Sequence, residues 1–234
     1  HSDSKVGVDA GELAGIPETG VKATNDVDAL LALGADCICY AALLPDEALV
    51  CRMLESGANV VTPLGWVYPS ERKSVALTAA CEAGQSSLHG TGIHPGGITE
   101  RFPLMVSALT SRITFVRSEE FSDIRTYGAP DVLRDIMLFG HPPEVSMQSP
   151  MVGLLGGGFR QSIQMIADEL GFRIDPEIQS ANEVAVATAP IDTPMGVIEP
   201  GLVAAQRFSW TATVDGVPVI TARVNWLMGE KDLD

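Results

Sequence analysis

The chain has 234 residues, 46% of them hydrophobic and 19% charged, with a net charge of −15. That length carries one large domain or two modest ones with real cores. The acidic balance excludes nucleic acid and anionic membrane as partners, because a phosphate backbone requires a basic face. No run of about 18 apolar residues and no basic-then-apolar leader pattern is present, so the expectation is a soluble, non-secreted, cytoplasmic protein.

From the start, Val21 to Thr24 reads as a short strand, and "NDVDALLALG" (25–34) as a helix with an Asn/Asp cap and a closing glycine. "ADCICYAA" (35–42) is a continuous apolar run, the pattern of a parallel strand covered on both faces. "LPDEALVCRMLESG" (44–57) reads as a helix with acids in its first turn. "ANVVTP" (58–63) follows as a strand, "SERKSVALTAACEAGQ" (70–85) as a helix, and "SSLHGTG" (86–92) as a strand with its exit loop. This alternation implies right-handed crossovers and a parallel sheet.

Beyond residue 97 the pattern changes. Helices are expected at 98–110, 129–140 and 158–172, and a strand at 112–124. After Pro176 come "EVAVATAPI", "QRFSWTATVDG" and "VPVITARVNWLM", with Asp215-Gly216 as a hairpin turn. The reading is α/β for residues 1–97, followed by an α+β domain over residues 98–234.

Four cysteines (Cys37, Cys39, Cys51, Cys81) show neither CxxC nor zinc-like spacing, so no metal site is expected. Cys37 and Cys39 point to one face of their strand. All four are expected to be reduced and buried.

In an open parallel sheet a ligand sits at the carboxyl ends of the strands. That directs attention to Ala41-Ala42-Leu43, to Thr62 and its loop, and to "LHGTGIHPGGITERF" (88–102). The last is not a dinucleotide fingerprint, because Pro95 stands where the third glycine belongs and several βα units precede it. It is a stiff loop carrying His94, which either donates a proton or orients a carbonyl, or else bonds to backbone. Glu100 either takes part in chemistry or favours the helix dipole. "GLLGGGF" (153–159) either holds an anion ahead of a helix or is a flexible turn. "SEEFSDIRTYG" (118–128) either lines a polar cavity with Glu120 and Tyr127 or forms a salt-bridged edge. Asp192 reads as a turn residue, and the Tyr68 ring as packed.

Five segments taken in order, "HSDSKVGVDAGELAG", "ADCICYAALLPDE", "NVVTPLGWVYPSE", "HGTGIHPGGITERFPL" and "VIEPGLVAAQRFSW", resemble the NAD(P)H-dependent reductases related to dihydrodipicolinate reductase. The nearest branch is that of 2,4-diaminopentanoate and amine dehydrogenases. The resemblance implies a Rossmann-like domain, here lacking its first strand and its glycine fingerprint upstream of residue 1. It also implies an α+β domain that binds substrate and forms a homodimer through its sheet.

By the same resemblance, His1, Ser2, Ser4 and Lys5 would meet an adenosine 2′-phosphate, which suggests NADP over NAD. Ala41, Ala42 and Thr62 would pass along the cofactor. Gly90, Thr91 and Gly92 would border the nicotinamide, with His94, Glu120 and Tyr127 as the catalytic candidates. The implied activity is hydride transfer to a small carbonyl or imine. The chain departs from the pattern in two ways. The paired-histidine and K-x-x-x-S-G-T segments of dihydrodipicolinate reductases are missing. Where amine dehydrogenases resemble "STCEELSYP" the chain reads "TPLGWVYP", so their catalytic glutamate maps to Leu64 or Gly65. That departure leaves room for a non-catalytic binding and dimerisation protein on the same fold. A sugar dehydrogenase ranks last, for want of an E-K-P segment.

Overall fold

The computed structural model describes residues 3–42, 44–71 and 74–234. The chain forms two compact units, His1–Leu64 with Pro69–Gly90, and Gly65–Tyr68 with Thr91–Asp234. The change of unit at Gly90/Thr91 compares with the 97/98 boundary expected from sequence.

The first unit opens on a knot around Asp9. This residue caps α1 (Ala10–Ala14). Its carboxylate accepts the N–H groups of Gly11, Thr19 and Gly20 at 2.7, 2.9 and 2.8 Å. Those bonds hold it below the ordinary carboxylate range, the Thr19 N–H contributing most. The strand expected at 21–24 reduces to one isolated bridge between Asp9 and Lys22. α2 (Val27–Leu31) follows, capped by Asp26.

Then come β1 (Cys37–Cys39), α3 (Glu47–Glu55), β2 (Asn59–Thr62), α4 (Val75–Gly84) and β3 (Leu88–Gly90). The strands form a parallel sheet in the order β1-β2-β3. Val50 and Leu54 of α3 and Leu77 and Ala80 of α4 are buried on one side, with Val60 of β2 beneath. The expectation of four buried thiols is corrected. Cys37 and Cys39 are exposed and Cys51 and Cys81 are half-buried, all of them free. The physical reason is position: β1 is an edge strand of this sheet, so the face carrying Cys37 and Cys39 is left uncovered among the described residues.

The second unit contains α5 (Arg101–Ser107), β4 (Val116–Asp123), α6 (Pro143–Ser146), α7 (Met151–Leu170), β5 (Gln179–Val186), β6 (Ile191–Thr193), β7 (Gly196–Ile198), β8 (Val203–Val214) and β9 (Val217–Leu227). β8 and β9 are joined through Asp215 and Gly216, both at positive φ, as the sequence signal required. The sheet order is β4-β9-β8-β5, with β4 parallel to β9 and the other pairs antiparallel. β6 and β7 form a separate two-stranded ribbon, so Asp192 lies on a strand rather than in a turn.

α7 lays Phe159, Ile163, Ile166 and Ala167 on one side of this sheet, the i, i+4, i+7, i+8 spacing of an amphipathic helix. Phe159 stacks on Trp210 of β8 with centroids 4.4 Å apart, and both rings are fully buried. The helix begins seven residues earlier than residue 158. "GLLGGGF" is therefore helical and offers no loop for an anion. One of its glycines serves close packing instead, since a Cβ on Gly158 would lie 2.7 Å from Pro95 Cγ. The helix expected at 129–140 is a π-helical turn, Val132–Ile136, in which the Met137 N–H reaches back five residues to the Val132 carbonyl. Among the described residues no helix is long and apolar enough to cross a membrane.

Candidate active site

The parallel sheet places four of the sequence-predicted residues at its carboxyl edge. Thr62 closes β2 directly opposite Gly90, which closes β3. Ala41 and Ala42 follow Tyr40, whose N–H extends the β1–β2 ladder to the Val61 carbonyl at 2.9 Å. Thr62 is fully buried, and its hydroxyl accepts the Leu64 N–H at 3.1 Å, which turns the chain out of the strand. The side chains at these three adjoining strand exits are small, and the carboxyl ends of strands are where ligands sit in open α/β sheets. Ser4 and Lys5 lie on an exposed turn, Asp3–Lys5, in the same unit. Beside them the Asp3 carboxylate accepts from Asn25 Nδ2 at 2.9 Å. His1, Ser2 and Leu43 lie outside the described residues.

In the second unit the loop 91–100 folds on itself. A Cβ on Gly92 would fall 2.4 Å from the Pro95 carbonyl oxygen, and one on Gly96 only 2.5 Å from the Gly92 nitrogen. Both residues have φ far into the positive region, +142° and +115°. Only glycine fits at either position. His94 then anchors the loop. Its Nε2 lies 2.8 Å from the Arg223 carbonyl, which can only accept, so Nε2 donates. Nδ1 lies 2.6 Å from Thr99 Oγ1 and, in the neutral ring, accepts from that hydroxyl. The ring edge packs on Phe159 at 4.8 Å. The Ser118 hydroxyl donates to the Thr99 carbonyl at 2.7 Å, tying the same loop to β4. Both ring nitrogens of His94 are thus engaged by the protein.

Glu100 is also buried. One of its oxygens accepts the Gly96 N–H at 3.2 Å, and the other has no partner among the described residues. It stands at the N-cap of α5, at the base of the loop, with no side-chain cap bond.

The acidic stretch on β4 proves to be largely a salt-bridged edge. Asp123 pairs with Arg125, whose guanidinium and N–H hold that carboxyl below its ordinary range. Glu119 faces Arg117 at 3.4 Å and Arg223 at 3.8 Å. Glu120 alternates to the other face of β4, the face of Val116 and Ser118. Tyr127 is 46% exposed just past the strand's end. The Glu120 carboxylate and the Tyr127 hydroxyl remain uncommitted among the described residues. Glu120 therefore shares a side of the sheet with the His94 anchor, whereas Tyr127 stands beyond its end.

A cavity of about 190 Å³ lies elsewhere in this unit, lined by residues including Glu183, Ala205, Arg207, Asn225 and Leu227. It contains none of the residues singled out from sequence. Sequence reasoning also missed the role of Tyr68. Its N–H donates to Gln161 Oε1 at 3.1 Å and its hydroxyl to Asp168 at 3.0 Å, fastening Gly65–Tyr68 to α7. Nothing in the sequence pairs residues about a hundred positions apart. Among the described residues no group of three or more His, Cys, Asp or Glu is placed to hold a metal ion.

Comparison with known proteins agrees with this architecture. An amine dehydrogenase of Streptomyces virginiae is 35% identical over 236 aligned positions. The alignment covers 94% of this chain but 64% of that protein, so the chain spans just under two thirds of its relative. The solved amine dehydrogenase of Mycobacterium smegmatis superposes with a TM-score of 0.73 at 20% identity, covering 98% of this chain and 70% of that one. That likeness establishes the fold, a Rossmann-like α/β unit with an α+β unit. Residues 101–224, more than half of the chain, match the family model of the 2,4-diaminopentanoate dehydrogenase C-terminal domain, and the chain belongs to that family.

Proposed function

We propose that this chain is the cofactor-edge and substrate part of an NAD(P)H-dependent oxidoreductase that transfers hydride to a small carbonyl or imine. The observation that carries the reading is the carboxyl edge at which Ala41, Ala42, Thr62 and Gly90 converge on adjoining parallel strands. Membership of a dehydrogenase family supports it. The residues present fit one part of a dinucleotide: small strand exits for a flat ring and ribose, and Ser4 and Lys5 for a 2′-phosphate, which favours NADP. The bound nicotinamide would supply the hydride.

The protein's own contribution is positional. Gly92 and Gly96 shape the loop, His94 pins it to β9 and Ser118 ties Thr99 to β4, so in this reading His94 also positions the loop. Glu120 and Tyr127 are left to handle a proton. The working form in this reading is a cytoplasmic homodimer joined through the open sheet face. A non-catalytic binding protein is the second reading, favoured by the engagement of both His94 nitrogens and by a cavity that lies away from Glu120 and Tyr127.

Fluorescence titration with NADPH and NADH separates the two. The oxidoreductase reading expects NADPH to bind more tightly, by about tenfold or roughly 1.4 kcal/mol. Lys5→Ala should remove that preference while sparing NADH. Binding of neither nucleotide overturns the reading in favour of the binding protein.

A further inference from the structure

Cys51 on α3 and Cys81 on α4 belong to no part of the site described above. The two helices flank β2 in consecutive crossovers of a parallel sheet, so they run in the same direction. They come close at Gly84, where an added Cβ would stand 1.8 Å from the Leu54 carbonyl oxygen. The Ser86 hydroxyl closes the same point by donating to that oxygen at 2.9 Å. Cys51 lies three residues before Leu54, and Cys81 three residues before Gly84. In parallel helices, one turn back along each keeps the two positions level. The absence of a side chain at Gly84 keeps the two backbones close one turn further on, and bridging the pair requires their Cα atoms to stand about 4.4–6.8 Å apart.

Both thiols are free and half-buried, on helices whose buried residues are Val50 and Leu54 on α3 and Leu77 and Ala80 on α4. The Cys51 thiol is held above its ordinary range by burial first, then by Glu47 and Glu55, and Cys81 is close enough to add to the effect. A thiol so held reacts slowly and stays reduced until an oxidant is supplied.

We propose that Cys51 and Cys81 form a redox-responsive pair, a site of disulfide closure that staples α3 to α4 beside the strand ending at Thr62. The oxidant is a small disulfide such as glutathione disulfide. The thiolate of one cysteine attacks its S–S bond and expels one glutathione thiolate. The second cysteine attacks the mixed disulfide and expels the other. The protein loses two S–H bonds and two electrons; the reagent gains the electrons and, with the released protons, becomes two glutathione thiols. The proposal stands independently of the oxidoreductase reading, because its test requires no nucleotide.

The experiment treats the native protein with glutathione disulfide, blocks free thiols, and maps the bridges by proteolysis and mass spectrometry. A Cys51–Cys81 linked peptide is expected, lighter by two hydrogens than the two reduced peptides together. The thermal midpoint should rise and return to its starting value on reduction. In Cys81→Ser, glutathione should remain as an adduct on Cys51. A bridge between Cys37 and Cys39 alone, or wild-type protein that accumulates only glutathione adducts, overturns the proposal. The wild-type map is decisive even if the variant does not fold.

Discussion

Single side chains in this protein are used as fasteners between segments distant in sequence. Asp9 is the densest case, gathering three backbone N–H groups and the Thr19 hydroxyl onto one carboxylate. Its pKa is lowered in the folded state, so its stabilising effect is fully present above the ordinary value near 3.8 and is lost as the pH falls through the lower folded value. Asp9→Asn is therefore expected to lower the thermal midpoint at neutral pH. The gap to the parent should close as the pH drops below about 3.8, as followed by circular dichroism. A gap that stayed constant across that range would mean that the carboxylate charge contributes nothing. His94 is a fastener of the same kind. The sequence shows an imidazole on a loop but cannot show that the Arg223 carbonyl, 129 positions away, accepts a hydrogen bond from its Nε2. That is why the sequence leaves both a proton donor and a backbone anchor open there.

Among the elements, α7 and the β8–β9 hairpin carry the core of the second unit. The stacked Phe159–Trp210 pair lies where helix and sheet meet, and both side chains are fully buried. Phe159→Ala is expected to cost about 3–5 kcal/mol, because the ring's contacts are lost and the site cannot collapse around a fixed indole. Urea denaturation measures this, and a loss below about 1 kcal/mol would show that the stack is not part of the cooperative core. The hairpin was legible because its signals are local: alternating residues and a two-residue Asp-Gly turn. The start of α7 was not. Its glycines lower local helix propensity by up to ~1 kcal/mol each, and the compensation comes from contacts such as that between Gly158 and Pro95, which have no local signature.

At the scale of the whole molecule the two units differ in the size of what they bury. The first has strands of three or four residues; the second has strands of up to twelve and a continuous apolar core from Val116 to Met228. Amide exchange is accordingly expected to be slowest on β8, β9 and α7 and faster throughout β1, β2 and β3. Slowest exchange in the first unit would reverse that ordering.

The sequence by itself determined the alternation that makes a parallel sheet, the position of its strand exits, the hairpin and the family, since all of these rest on short-range periodicity or contiguous motifs. The tertiary structure alone decided that the edge thiols are exposed, that "GLLGGGF" is helix, that the acids of β4 are largely paired, and that His94 is engaged at both nitrogens. Each of those outcomes depends on which backbone or side chain arrives from elsewhere in the chain, and the pattern along the chain does not record that.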